Sequence, residues 1–195
     1  HYMVTGLSTI PFIFALLCLI CISTAGAQDA HPPSPRTNFI FNSTFEAGVS
    51  PWTVTNAIGD KVKCGGVGHG SDCAFMFKGG LNEATKLGQP ESNVGSPIHG
   101  LVYYLDVSAY VRRVSGQTKL KFAATVNLLG DLLPVKAKYT HTASAPSSEY
   151  ELVTFQVGVF FGEHYESFTL NIRNLSKSGK TYIDDIYVYD IGVRR

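Results

Sequence analysis

Apolar and polar residues alternate along several short runs in the chain downstream of residue 38. The clearest run spans 103–112, where Leu105, Val107, Ala109 and Val111 alternate with polar or tyrosine positions. A period of two predicts a β-strand with one face in the protein core and the other in water. The same reasoning predicts further strands at 39–41, 52–55, 74–78, 118–128, 152–159, 165–173 and 181–189.

Glycine, asparagine, serine and proline separate these runs, and no segment after Ala27 keeps a helical period. Short strands with turn residues between them are typical of a β-sandwich. The sequence therefore predicts an all-β fold, a single jelly-roll β-sandwich preceded by a signal-peptide helix. In such a sandwich the outward positions of neighbouring strands form one continuous surface.

The amino-terminal segment has a different character. Residues 10–22 are almost unbroken apolar sequence, shorter than the roughly 20 residues that a membrane-spanning helix needs. Ala25-Gly26-Ala27 follows, the small-residue pattern of a signal-peptidase site. An uncleaved anchor or a buried helix remains the alternative, because no lysine or arginine precedes Arg36. The predicted organisation is a signal peptide at 1–27, a proline-rich linker at 28–37 and a folded domain at 38–191.

A cleaved signal peptide implies a secreted or cell-surface protein without membrane insertion after cleavage. Cys64 and Cys73 then remain as a pair in an oxidising compartment, where disulfides persist. The glycine-rich segment between them favours a disulfide across a hairpin, which would contribute about 2–3 kcal/mol of stability. The alternative is a metal site that includes His69, although no second pair of ligands with metal-binding spacing accompanies it.

The low charge of the chain argues against two classes of binding partner. The formal net charge is +1 and only 16% of the residues are charged. Nucleic-acid-binding domains and domains that bind anionic membranes carry a strong excess of basic residues. We therefore expect no nucleic-acid partner.

Two motifs at the ends of the domain carry a family resemblance. The chain reads Asn-Phe-Ile-Phe-Asn-Ser-Thr-Phe-Glu-Ala-Gly at 38–48, followed by Trp52, and Gly-Lys-Thr-Tyr-Ile-Asp-Asp-Ile-Tyr-Val at 179–188. In their order and spacing they resemble the jelly-roll carbohydrate-binding modules attached to many bacterial cellulases and xylanases. The resemblance covers about residues 38–190 and implies the same sandwich, with Trp52 in the core.

The resemblance also implies a metal site. Because the first and last strands of such a sandwich are neighbours, Glu46 and Asp184 are expected to lie close together. Two carboxylates at close range repel unless a cation or a proton joins them, and oxygen ligands suit Ca²⁺. A structural calcium ion is one expectation. The other is that both carboxylates accept hydrogen bonds from backbone N–H groups and lysine side chains.

The outward positions of the longest strands offer a candidate glycan surface. Tyrosine rings can lie flat against sugar rings while their hydroxyl groups stay in water. If the three strands share a sheet, their outward residues form one concave face. Tyrosine is also a common strand residue on half-exposed faces, which is the alternative explanation. The candidate ligand-binding residues are Tyr104, Asp106, Tyr110, Arg112, Asn127, Tyr165, Asn171 and Arg173.

The sequence thus predicts a secreted, non-catalytic module that recognises a polysaccharide or glycan on a sheet face. A structural or adhesive cell-surface sandwich that binds protein or its own copies is the alternative. An enzyme is not expected, because no nucleophile-elbow, zinc-protease or phosphate-loop motif is present. The one defensible carboxylate pair for glycoside hydrolysis, Glu46 with Asp184 or Asp185, is assigned by the resemblance to metal binding or structure.

Overall fold

The computed structural model describes residues 38–80, 85–91, 103–128, 134–143, 145–146, 148–159 and 165–193. The chain divides into two compact units, and all of these residues belong to the second, Arg36–Arg195. The predicted signal peptide and linker lie outside the described residues. Within the described residues, no helix is long and apolar enough to cross a membrane.

The described residues form ten β-strands, all paired antiparallel. Seven of them match the predicted runs to within a few residues at each end, so the period of two was a reliable guide to the long strands. The strands are β1 Thr53–Thr55, β2 Lys61–Lys63, β3 Ala74–Lys78, β4 Lys86–Gly88, β5 Tyr103–Gly116, β6 Thr118–Leu128, β7 Val135–Ala143, β8 Glu151–Val159, β9 Tyr165–Asn174 and β10 Gly179–Val193.

The strands form two five-stranded sheets. Sheet 1 has the order β1-β4-β9-β6-β7, and sheet 2 has the order β2-β3-β10-β5-β8. Their inner faces share one apolar core, so the fold is an antiparallel two-sheet sandwich, as the pattern predicted.

Alternation places the core residues as expected. On β5, Leu105, Val107, Ala109 and Val111 are at most 1% exposed, and the inward residues of β6 and β9 are equally buried. Trp52 is 4% exposed, and its indole N–H donates to the Phe41 carbonyl at 3.0 Å. The prediction that the only tryptophan belongs to the core is confirmed.

The predicted strand at 39–41 is wrong. Positive φ angles at Asn42 and Phe45 turn the chain there, and Phe39 makes a single backbone hydrogen bond to Val188. The Asn38 side chain instead bridges the Val188 N–H and the Ile186 carbonyl. Strands β2, β4 and β7 were not predicted, because β2 and β4 have three residues each and β7 is an edge strand with mostly exposed side chains.

Candidate functional site

The structure divides the predicted ligand face between two surfaces. Strand β5 lies in sheet 2, whereas β6 and β9 are neighbours in sheet 1. The condition that the three strands share a sheet is therefore not met, because the chain crosses from one sheet to the other between β5 and β6. Tyr104, Asp106, Tyr110 and Arg112 lie on the outside of sheet 2, and Asn127, Asn171 and Arg173 on the outside of sheet 1. The side chain of Tyr165 lies outside the described residues.

A groove of about 620 Å³ runs over the outer face of sheet 2, across β8, β5 and β10. We call it the tyrosine groove. Its floor is formed by outward side chains, and register places Asp106 between Gln156 and Tyr189, and Ser108 between Thr154 and Tyr187. The lining residues are Asp106, Ser108, Tyr110, Leu152, Thr154, Phe155, Gln156, Tyr187 and Tyr189.

Two tyrosines of β10 form one wall of the groove. The rings of Tyr187 and Tyr189 stack with centroids 5.5 Å apart and planes 12° apart. The Tyr187 hydroxyl donates to Asp185 at 3.1 Å. Burial and the neighbouring Asp185 carboxylate raise the pKa of Tyr187 to about 12, so its hydroxyl keeps its proton at neutral pH. Each ring therefore presents a fixed apolar surface with a polar edge.

Tyr104 and Tyr110 extend the aromatic surface along β5. Tyr104 lies over β8, where a Cβ on Gly158 would come within 3.3 Å of its ring. Tyr110 stacks on the His69 ring with centroids 3.5 Å apart, and His69 Nδ1 lies 2.7 Å from Asp185 Oδ2. The loop before β3 thus braces one end of the groove.

Arg112 is engaged within the protein. Its guanidinium donates to the Val67 carbonyl at 3.0 Å and lies over the rings of Tyr150 and Tyr182, at 4.9 and 5.1 Å from their centroids. It lines a separate cavity of about 480 Å³ rather than the tyrosine groove. Its contacts therefore fasten the loop that contains Val67 onto β5.

The predicted disulfide is confirmed. Cys64 and Cys73 are bonded, with their Cα atoms 4.0 Å apart, and Asp72 accepts hydrogen bonds from the backbone N–H groups of Gly65 and Gly66. The disulfide loop, residues 64–73, is therefore held together at its base. The alternative metal site with His69 is not formed, because both sulfur atoms are in the disulfide and His69 contacts Asp185 instead.

Glu46 and Asp184 both contact the disulfide loop. Glu46 accepts the Cys73 N–H at 2.7 Å, and Asp184 Oδ2 accepts the His69 N–H and the Ser71 hydroxyl at 2.7 and 2.8 Å. The other oxygen, Asp184 Oδ1, is buried and has no hydrogen-bond partner in the described part of the chain. Burial raises the pKa of Asp184 to about 6. Carboxylate oxygens such as these are hard ligands, the kind that Ca²⁺ prefers.

The outer face of sheet 1 has a different chemistry. The Asn127 amide donates to Ser167 at 2.8 Å and to Glu91 at 3.2 Å, so it is held by neighbours on the same face. Arg173 is exposed and lies opposite two lysines, Lys86 and Lys121. Among the described residues, no aromatic side chain points outward from β6, β9 or β4.

The sequence matches no protein-family model and no curated protein. Solved structures do match. The structure of TmCBM61 in complex with β-1,4-galactotriose aligns with 78% of this chain and 98% of its own, at 18% identity and a TM-score of 0.52. The likeness is one of fold, an antiparallel two-sheet sandwich shared with this solved module. The predicted resemblance is confirmed at this level.

Two further matches show the range of chains in which this sandwich occurs. The CBM22-1 xylan-binding domain from Paenibacillus barcinonensis Xyn10C covers 78% of this chain and 94% of its own, with 14% identity and a TM-score of 0.52. The enzymatically active domain of bacteriophage CBA120 tailspike protein 4 covers 79% of this chain but only 21% of its own, with 13% identity and a TM-score of 0.54. At these identities the likeness defines the fold.

Proposed function

We propose that this protein is a secreted, non-catalytic module that binds a neutral polysaccharide in the tyrosine groove. The observation that carries the proposal is the stacked pair Tyr187 and Tyr189 beside a row of polar side chains. Asp106 and Gln156 lie within this row, at positions that can hydrogen-bond sugar hydroxyls. The fold shared with TmCBM61 and the xylan-binding domain supports the proposal.

The geometry suits a chain of sugar rings better than a compact ligand. The groove crosses three strands and is open to solvent along its length, so a polysaccharide can lie across it. Tyrosine rings bury the apolar faces of pyranose rings at little cost in conformational entropy, because each ring has only two side-chain torsions. Their fixed orientation further lowers the entropic cost of binding.

The small number of carboxylates in the groove favours binding without hydrolysis. Glycoside hydrolysis uses two carboxyl groups that flank the scissile bond, about 5–9.5 Å apart. Among the described residues that line the groove, Asp106 is the single carboxylate. Asp185 lies beyond the groove wall and is engaged by His69 and Tyr187. The described lining of the groove therefore offers no pair of carboxylates for general acid and base roles.

A structural or adhesive role is the second candidate. An assembly surface would be flat and rich in exposed aliphatic side chains. In the described part of the chain, the exposed large apolar side chains are scattered over separate turns and strands, among them Phe41, Ile58, Val114 and Leu175. This distribution favours the groove over self-assembly.

The disulfide supports secretion or display at the cell surface, because such bonds persist in oxidising compartments. We also propose that Asp184 and Glu46 hold a structural calcium ion beside the disulfide loop. The buried, unpartnered Asp184 Oδ1 supports this assignment. A bound cation would offset the cost of burying that charge and fix the loop that braces Tyr110.

The test is binding of the 195-residue protein to a panel of neutral polysaccharides, including β-1,4-galactan and xylan, by affinity electrophoresis and calorimetry. We expect binding to one of them, lost in Tyr187→Ala with Tyr189→Ala and retained in the corresponding phenylalanine variants. Folded protein that binds no neutral polysaccharide contradicts the proposal, as does binding that the alanine variants leave intact.

A further inference from the structure

A row of three cations crosses the outer face of sheet 1. Lys86 on β4 pairs directly with Arg173 on β9, and Arg173 pairs directly with Lys121 on β6. Their chain neighbours Leu87 and Ile172 are fully buried in the core, so the three cationic side chains point away from it. Three like charges therefore stand side by side on adjacent strands.

Three more lysines surround this row. Lys136 and Lys138 on β7 pair with the outward residues Thr125 and Ala123 of β6, and Lys119 lies two residues from Lys121 on the same strand. All three are exposed. We call this surface the cationic face; its members are Lys86, Lys119, Lys121, Lys136, Lys138 and Arg173.

No carboxylate of the described residues forms an ion pair with this face. The ion pairs of the described residues are His69 with Asp185 and His141 with Glu151, and neither involves the cationic face. The nearby carboxylate on the same side, Glu91, is hydrogen-bonded to Ser167 and Asn127. The six positive charges are thus unpaired within the described part of a chain whose net charge is only +1.

Unpaired like charges on adjacent strands are unfavourable. Strands lie about 4.8 Å apart, which is less than the Debye length of about 8 Å at physiological salt, so the solvent screens the row only partly. Like charges directly opposite each other destabilise a sheet. An anionic ligand laid across the row converts this repulsion into attraction.

We propose that the cationic face binds a polysaccharide with one carboxylate per sugar, a polyuronate. The guanidinium of Arg173 can bind a carboxylate through two parallel hydrogen bonds, with Lys86 and Lys121 on either side for the neighbouring sugars. Asn171 lies beside the row, and its amide packs against Gly88, where an added Cβ would come within 3.1 Å of Asn171 Oδ1.

Other polyanions fit this face less well. Single-stranded nucleic acids are bound by combining positive charge with aromatic platforms, and none is present among the described residues of the face. A membrane surface would favour large apolar side chains next to the cations, whereas the positions between them are the polar Asn171 and Thr125 and the small Ala123. The inference does not depend on the tyrosine groove, which lies on the opposite sheet.

The experiment measures binding of the 195-residue protein to polygalacturonate by calorimetry at low and moderate salt. The test variant carries Lys86→Gln, Lys121→Gln and Arg173→Gln. The matched control carries Lys61→Gln, Lys78→Gln and Lys180→Gln, which remove the same charge from exposed positions of sheet 2. Thermal unfolding of both variants shows whether the fold is kept.

We expect the test variant to lose affinity by at least about tenfold and the control variant by less than about threefold, because charge-assisted contacts carry the binding. Tyr187→Ala with Tyr189→Ala should leave polygalacturonate binding unchanged, which separates this inference from the proposed function. Absence of binding, equal losses in the two triple variants, or equally tight binding to duplex DNA, sulfated dextran or phosphatidylserine vesicles overturns it.

Discussion

The outer faces of the two sheets differ in chemistry although the same alternation builds both. Sheet 2 presents stacked tyrosines over a groove, whereas sheet 1 presents cations and no aromatic ring on β4, β6 and β9 within the described residues. The inward positions of both sheets are apolar because one core requires it. The outward positions carry no such constraint, so each face can specify its own ligand.

The two faces also differ in how they are supported. The tyrosine groove is braced by the disulfide loop, through His69 on Tyr110, and by a register shift in β10 between Asp184 and Tyr187. The cationic face spans β4, β9, β6 and β7, and its central pair, β6 with β9, is regularly paired from Leu120 to Asn127. The tyrosine groove thus depends on a loop and a register shift, whereas the cationic face depends on regularly paired strands.

The largest expected effect comes from removing the two stacked tyrosine rings of the groove. Tyr187→Ala with Tyr189→Ala should weaken neutral polysaccharide binding by at least about 30-fold, as expected for central aromatic contacts worth about 2 kcal/mol or more. The phenylalanine variants keep the rings and should lose only a few-fold. Calorimetry checks both, and equal losses in the two pairs of variants would contradict stacking.

Removing the disulfide should affect the groove and spare the cationic face. Cys64→Ser with Cys73→Ser should lower the free energy of unfolding by about 2–3 kcal/mol, because the bond closes a loop with a sequence separation of 9. Denaturant unfolding measures this change. Neutral polysaccharide binding should weaken while polygalacturonate binding is kept; the reverse order of sensitivity would show that the loop does not brace the groove.

Calcium should stabilise the sheet 2 side of the molecule through Asp184. Burial raises the pKa of Asp184 from 3.8 to about 6. Without calcium the folded state binds more protons than the unfolded state between about pH 4 and 6, so stability should fall as pH rises through this window. Calcium at a hundredfold excess over its dissociation constant should add about 2–3 kcal/mol near pH 7 and oppose that fall.

Thermal unfolding with calcium or a chelator measures the calcium effect. Asp184→Asn should remove the response to calcium, whereas Glu91→Gln, next to the outer face of sheet 1, should keep it. An identical calcium response in the wild-type protein and Asp184→Asn would exclude Asp184 as a ligand.

Salt should distinguish the two binding modes. Raising the salt concentration from about 0.1 M to about 1 M shortens the Debye length from about 10 Å to about 3 Å. We expect polygalacturonate affinity to fall by about tenfold or more as its counterions compete. Neutral polysaccharide affinity should stay within about twofold, and a parallel fall of both affinities would contradict the division of chemistry.

The smallest expected effect is on the stability of the free protein. Arg173→Gln relieves repulsion from Lys86 and Lys121 and should raise the free energy of unfolding at low salt by a few tenths of a kcal/mol, about the size of one cross-strand pair. Arg173→Lys keeps the charge and should not. Denaturant midpoints at low salt compare the two variants, and a destabilised Arg173→Gln protein would mean that the row is not under repulsion.

Periodicity predicted the long strands and the buried residues of each, such as Leu105 on β5 and Phe122 on β6, because a period of two follows directly from burial of one face. It could not predict strand order. Pairing between distant strands, such as β4 with β9, depends on the closure of the whole sandwich. Only the structure could therefore show that the predicted ligand-binding residues are divided between two sheets.

The missed groove residues have a local cause. Along β10 the outward positions are Lys180 and Tyr182 before the register shift, and Tyr187 and Tyr189 after it, so the parity changes from even to odd. A positive φ at Asp185 accompanies the change. A single alternating pattern therefore cannot assign the outward positions on both sides of the register shift. For this reason Tyr187 and Tyr189 were not among the predicted site residues.

The most direct test of the two-face account is a pair of NMR titrations of the isotope-labelled protein, one with the neutral oligosaccharide that binds and one with oligogalacturonate. The account predicts amide shifts on β5, β8 and β10 in the first titration, and on β4, β6 and β9 in the second. Shifts on the same sheet in both titrations, or neutral-sugar shifts confined to sheet 1, would contradict it.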